Sequence, residues 1–104
     1  MLKLFKVSGC SMEPTLPAGT FVLVRRILFG YPRVNDLVVF RCALRGIMVK
    51  RVLSTEPGLG MYMAGDNIAE SISREDIGWV HRNQILGKVI WQSQRTNVVD
   101  SVQN

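Results

Sequence analysis

The chain is poor in the residues that mark several kinds of site. Its two cysteines, Cys10 and Cys42, stand far apart among 104 residues, with no CxxC pair and no Cys/His cluster. A disulfide framework and a zinc site are thereby excluded; both residues are expected as thiols, and no metal or other cofactor is expected. Histidine occurs once, as His81 in "GWVHRNQ". Acidic residues are the minority, 8 against 13 basic ones, for a net charge of +5. That balance favours anionic partners or membrane surfaces, yet it is mild beside dedicated nucleic-acid binders and alone decides nothing; no nucleic-acid partner is expected. Long apolar runs are also missing. The best, "FVLVRRILFGY", is cut by Arg25 and Arg26 and falls short of the roughly 18 to 20 residues that cross a bilayer. Ten residues precede Ser11, which leaves no space for a signal peptide or an upstream anchor. A soluble, cytoplasmic protein is the expectation, with membrane association as the alternative.

What is abundant is strand-forming sequence. Hydrophobic residues make up 47% of the chain, enough for one compact core at this length. Segments rich in β-branched and aromatic residues recur at 2–7, 20–27, 36–42, 45–53, 60–65 and 86–92, the pattern of an antiparallel all-β domain. Turn chemistry separates them in "LPAG" (16–19), "GYPRVND" (30–36), "STEPGLG" (54–60) and "AGDN" (64–67). Only "NIAESISREDI" (67–77) departs from this, as a loop or a single helical turn. The expected organisation is one domain over 1–94 and a fraying polar tail, "RTNVVDSVQN", over 95–104.

The stretch "SGCSMEPTL" (8–16) raises the question of chemistry. Ser11 is either a turn residue whose hydroxyl satisfies nearby backbone N–H groups or a nucleophile, and the second role needs a base to take its proton. Lys50, in "IMVKRVL", offers one. On a strand Met48, Lys50 and Val52 share a face, while Ile47, Val49, Arg51 and Leu53 share the other. A lysine among apolar neighbours is desolvated, and desolvation lowers an amine pKa of about 10.4 toward the range of a general base. The alternative is a surface lysine whose stem covers an apolar face, with Arg51 solvated beside it. His81 is the rival base, though no orienting acid accompanies it.

Taken together, "GCSMEPTL", "NDLVVFR", "VKRVL", "MAGDN" with Ser71 beyond it, and "ILGKV" resemble, in order and spacing, the S26 serine peptidases of the signal peptidase I group. The resemblance spans about residues 4–90 and implies a signal peptidase/LexA-like antiparallel β fold reduced to its catalytic core. It assigns Ser11 as nucleophile, Lys50 as base and Ser71 as the hydroxyl supporting that lysine. Gly9 stands where some relatives carry an oxyanion-stabilising serine, leaving the backbone near Cys10 and Ser11 to that task. Pro14 and Thr15 hold the nucleophile turn, Gly65, Asp66 and Asn67 form a structural turn, and Met12 walls a substrate pocket. Ile68, Ser73 and Glu75 depart from the pattern that usually follows the GDN box. Only eleven residues separate "KRVL" from "GDN", so the large accessory domain of typical signal peptidases is missing.

That minimal build resembles the maturation proteases of nickel-type superoxide dismutase. It implies an endopeptidase that removes an N-terminal propeptide or leader and takes its protein substrate, the dismutase precursor, as an extended peptide. Two other functions stay in view: a membrane-associated signal peptidase, and a non-catalytic basic module contacting a membrane or nucleic acid through "RRILFGYPR" (25–33). For that loop the expectation is that its apolar residues pack inward and its arginines are solvated. A self-cleaving repressor-type domain is disfavoured, because ten residues are too few to fold back as substrate.

Overall fold

Alternating apolar and polar side chains place one set of residues on each face of a strand, and here both faces are used. In a computed structural model, which describes residues 1–67 and 77–93, the chain forms seven strands: β1 (Leu2–Lys6), β2 (Phe21–Arg25), β3 (Leu37–Cys42), β4 (Gly46–Glu56), β5 (Gly60–Ala64), β6 (Trp79–Val80) and β7 (Ile85–Gln92). A 3₁₀ turn, Arg82–Gln84, joins the last two. The strands make a single sheet in the order β1-β2-β7-β3-β4-β5-β6, and all six pairings among them are antiparallel. The all-β expectation holds.

Two apolar clusters stabilise the sheet. One gathers Val7, Met12, Leu16, Val22, Val24 and Val39; the other gathers Val38, Phe40, Val52, Met61, Met63 and Val80. Neighbours on β3 go to different clusters, Val39 to the first and Val38 and Phe40 to the second, as strand alternation requires. The segment between β1 and β2 contributes Met12 and Leu16 to the first core, which anchors the region around Ser11.

Three sequence expectations are corrected. The "STEPGLG" turn is shorter than proposed, because β4 continues through Ser54, Thr55 and Glu56 in register with β5 and only Pro57–Leu59 reverse the chain. The two-residue β6 lacks the length to show a period, and His81 beside it caps the 3₁₀ turn, its N–H donating to Gln84 Oε1 at 2.8 Å. The apolar residues of the 25–33 loop do not pack inward: Leu28, Phe29 and Tyr31 are exposed. Residues 68–76, including Ile68, Ser71, Ser73 and Glu75, and 94–104 lie outside the described residues.

Strand β7 approaches β2 closely at Gly87. A Cβ there would lie 2.5 Å from Val24 Cγ1 and 2.6 Å from the Arg25 carbonyl oxygen. Gly87→Ala is therefore expected to destabilise the fold by about 1–3 kcal/mol, the usual cost of forcing atoms into a filled space. Urea unfolding measures it; an unchanged midpoint would contradict this packing.

Candidate active site

Lys50 lies in the middle of β4, in register opposite Val38 of β3 and between Met48 and Val52 on the same face. It is only 1% exposed, so the sequence alternative of a surface lysine with a solvated head does not hold. Its Nζ donates to Ser11 Oγ across 3.0 Å. Burial pushes the amine's pKa below its ordinary value, because the interior disfavours the ammonium form. When the amine is neutral, the same contact runs the other way and the serine hydroxyl donates to nitrogen.

Ser11 is held by a tight turn. The Glu13 N–H donates to the Cys10 carbonyl at 3.2 Å, and the Leu16 N–H donates to the Met12 carbonyl at 2.8 Å. Gly9 enters the turn at φ +75°, in the left-handed region that glycine adopts without steric cost. Pro14 follows a cis peptide bond within the turn and is exposed. Met12 is fully buried in the first core and also lines the cleft beside Ser11. It thus anchors the turn as well as walling the pocket.

The residues read from the sequence as a plain turn do more. Arg51 stands opposite Ala64, so the chain leaving β5 passes the Arg51 side chain, and Asp66 receives its fork: Nε to Oδ1 at 2.8 Å and Nη2 to Oδ2 at 2.7 Å. The Thr15 hydroxyl donates to the same Oδ2, and Arg51 Nη1 donates to the Asn35 carbonyl at 3.0 Å. Asn67 completes the clamp. Its N–H donates to the Ser11 carbonyl at 2.8 Å and its Nδ2 to the Cys10 carbonyl at 3.0 Å. Arg51 is thus a positioning residue that sequence reading missed, and not the solvated side chain expected, whereas Thr15, expected with Pro14 to hold the nucleophile turn, does so through Asp66. The hydrogen-bonded guanidinium, with a smaller contribution from Thr15, holds the Asp66 carboxyl below its usual pKa, against the opposing effect of burial. The available signal was an arginine on β4 and an aspartate just past β5, opposite charges on neighbouring strands.

A cleft of about 270 Å³ opens beside the Ser11–Lys50 contact, walled by Phe5, Met12, Val22, Val39 and Val49 among others. His81, the rival base, is exposed beyond β6 at the sheet edge, two strands from β4. Cys10 and Cys42 are thiols, not disulfide-linked. Among the described residues no cluster of three His, Cys, Asp or Glu side chains is placed to hold a metal, and no helix is long and apolar enough to cross a membrane.

Comparison with known proteins gives a family-level result. No curated protein matches the chain, whereas a family model described as Peptidase S24-like matches residues 1–90. This is a coarser placement than the S26 group suggested by the sequence motifs, and it agrees with the all-β antiparallel sheet. Because the match covers Ser11, Lys50, the Asp66–Asn67 clamp and all of the sheet except the end of β7, the chain belongs to the Peptidase S24-like family.

Proposed function

We propose that the protein is a serine endopeptidase in which Lys50 is the general base for Ser11. The observation that carries this reading is the 3.0 Å contact between a fully buried amine and a half-buried hydroxyl at the edge of an open cleft. A hydroxyl is inert until its proton has somewhere to go. The neutral Lys50 amine takes that proton as Ser11 Oγ attacks the peptide carbonyl, then returns it to the leaving amine. The resulting ester at Ser11 is cleaved by water, with Lys50 again accepting the proton. Backbone N–H groups near Cys10 and Ser11 stabilise the oxyanion, and the Asn67 clamp fixes the turn that presents them. The substrate lies extended along the cleft, its backbone pairing with strand edges and its side chains entering the apolar pocket.

The finer reading is removal of an N-terminal propeptide, with the nickel-type superoxide dismutase precursor as substrate. It is supported by the order and spacing of the motifs and by the direct β4–β5 turn, which leaves no room between these strands for an accessory domain. The test is to incubate the chain with that precursor and read the products by mass spectrometry. Release of one N-terminal peptide by the parent chain and none by Ser11→Ala is expected. An intact precursor, with other leader peptides cut, would reject the substrate but keep the peptidase.

A further inference from the structure

Among the described residues, nothing covers the apolar side of the half of the sheet furthest from β6. Leu4, Leu23 and Trp91 stand directly opposite one another across β1, β2 and β7. Val22 and Val24 alternate with Leu23 and belong to the first core, so this row faces away from it. Leu2 and Phe21 share the side by the same alternation. These are not marginal exposures: Leu4 is 60% and Trp91 54% accessible. The loop leaving β2 adds Leu28 at 64% and Phe29 at 89%. That loop is pinned, not hanging, since Arg82 Nη2 donates to the Leu28 carbonyl at 3.2 Å and the Arg82 guanidinium lies 5.3 Å from the Tyr31 ring centre.

Charge on this part of the molecule is predominantly basic. Residues 1–12, 14–35 and 77–93 contain no aspartate or glutamate, while Lys3, Lys6, Arg25, Arg26, Arg33 and Arg82 fall within them; Lys88 is ion-paired with Asp36 at 3.5 Å. Lys6 lies 5.9 Å from the Phe21 ring centre and Arg25 stands opposite Leu2, so cations are interleaved with the apolar side chains. Exposed apolar side chains gathered together and rimmed by cations mark an interaction site. Two features select its partner. Long basic side chains beside exposed leucine and phenylalanine suit an interface that is anionic at its surface and hydrocarbon beneath. A single-stranded nucleic acid instead needs aromatic rings as successive stacking platforms, whereas here the exposed aliphatic Leu2, Leu4 and Leu28 stand among the rings.

We infer that the face formed by β1, β2, the end of β7 and the 26–31 loop docks the protein on an anionic lipid bilayer, lying on the surface without spanning it. Leu28 and Phe29 enter the acyl boundary and the arginines and lysines engage lipid phosphates. The inference does not depend on peptidase activity.

The test is flotation of the full chain with vesicles of phosphatidylcholine alone or mixed with phosphatidylglycerol. Binding is expected to the mixed vesicles and not to the neutral ones, to weaken with added salt, and to shift Trp fluorescence to the blue. Leu28→Ser/Phe29→Ser and Arg25→Glu/Arg26→Glu chains should each bind roughly tenfold more weakly or worse. Circular dichroism matching the parent chain confirms their fold. Equal recovery with both vesicle types, or no recovery with either, would overturn the proposal. So would preferential binding of a single-stranded oligonucleotide, or a dimer in sedimentation equilibrium that fails to float.

Discussion

Ser11→Ala and Lys50→Ala chains are expected to lose peptide-bond hydrolysis by about 10³-fold or more, since each removes one member of a unit that works only as a pair. Both should remain folded. The Ser11 change deletes one oxygen, and the Lys50 position is lined by apolar groups. A sharper variant is Lys50→Met, which fills the space with an uncharged chain of similar length. Hydrolysis disappears, yet stability at neutral pH should rise, because burial disfavours the ammonium in the folded state. With the folded-state pKa below the unfolded value of about 10.4, the unfolded chain binds more protons between the two. Stability of the parent chain therefore climbs with pH across that window, and Lys50→Met removes the climb. Single-turnover cleavage and urea unfolding at several pH values check both parts. Full activity in any of the three variants would remove Lys50 or Ser11 from the chemistry.

Asp66→Ala is expected to have the second largest effect, lowering stability by about 2 kcal/mol and hydrolysis by about tenfold or more. The carboxylate accepts from Arg51 twice and from Thr15, and hydrogen bonds to charged groups are worth about 1.5–3 kcal/mol. Its loss leaves a half-buried guanidinium without its fork and frees the Thr15 end of the nucleophile turn. Adding Arg51→Met to Asp66→Ala should cost little more, because the two residues act as one unit; additive losses would show that they do not. The pH dependence has the opposite origin from that of Lys50. The Asp66 carboxyl is held below its unfolded value of about 3.9, so its contribution is complete above that value and is lost as pH falls through the lower folded one. Acid unfolding of the Asp66→Ala chain should lack this component.

Much of this was legible in the sequence because it is local. Enrichment in β-branched and aromatic residues located six of the seven described strands, and period-two alternation put Lys50 between Met48 and Val52, where desolvation follows from its neighbours. The Arg51–Asp66 pair was not legible, since it depends on the register of β4 against β5, which no single segment specifies. Strand β6 was missed for want of length. The 25–33 loop failed for another reason: composition says that Leu28 and Phe29 prefer to leave water, but not whether the chain supplies a surface to receive them. Here it does not. Gly65, Asp66 and Asn67 were read as turn formers, which they are, but their value lies in what Asp66 and Asn67 grip.

The central claim is that one buried amine stands ready, without its proton, to activate Ser11. The chain has four lysines, Lys3, Lys6, Lys50 and Lys88, and Lys50 is the one that is buried. A pH titration of the ¹³Cε resonances in lysine-labelled protein, with Lys50 identified by its absence from the Lys50→Met spectrum, follows each amine separately. The account predicts that the Lys50 resonance titrates clearly below the ordinary amine value. Titration of Lys50 at that ordinary value, about 10.4, would contradict it.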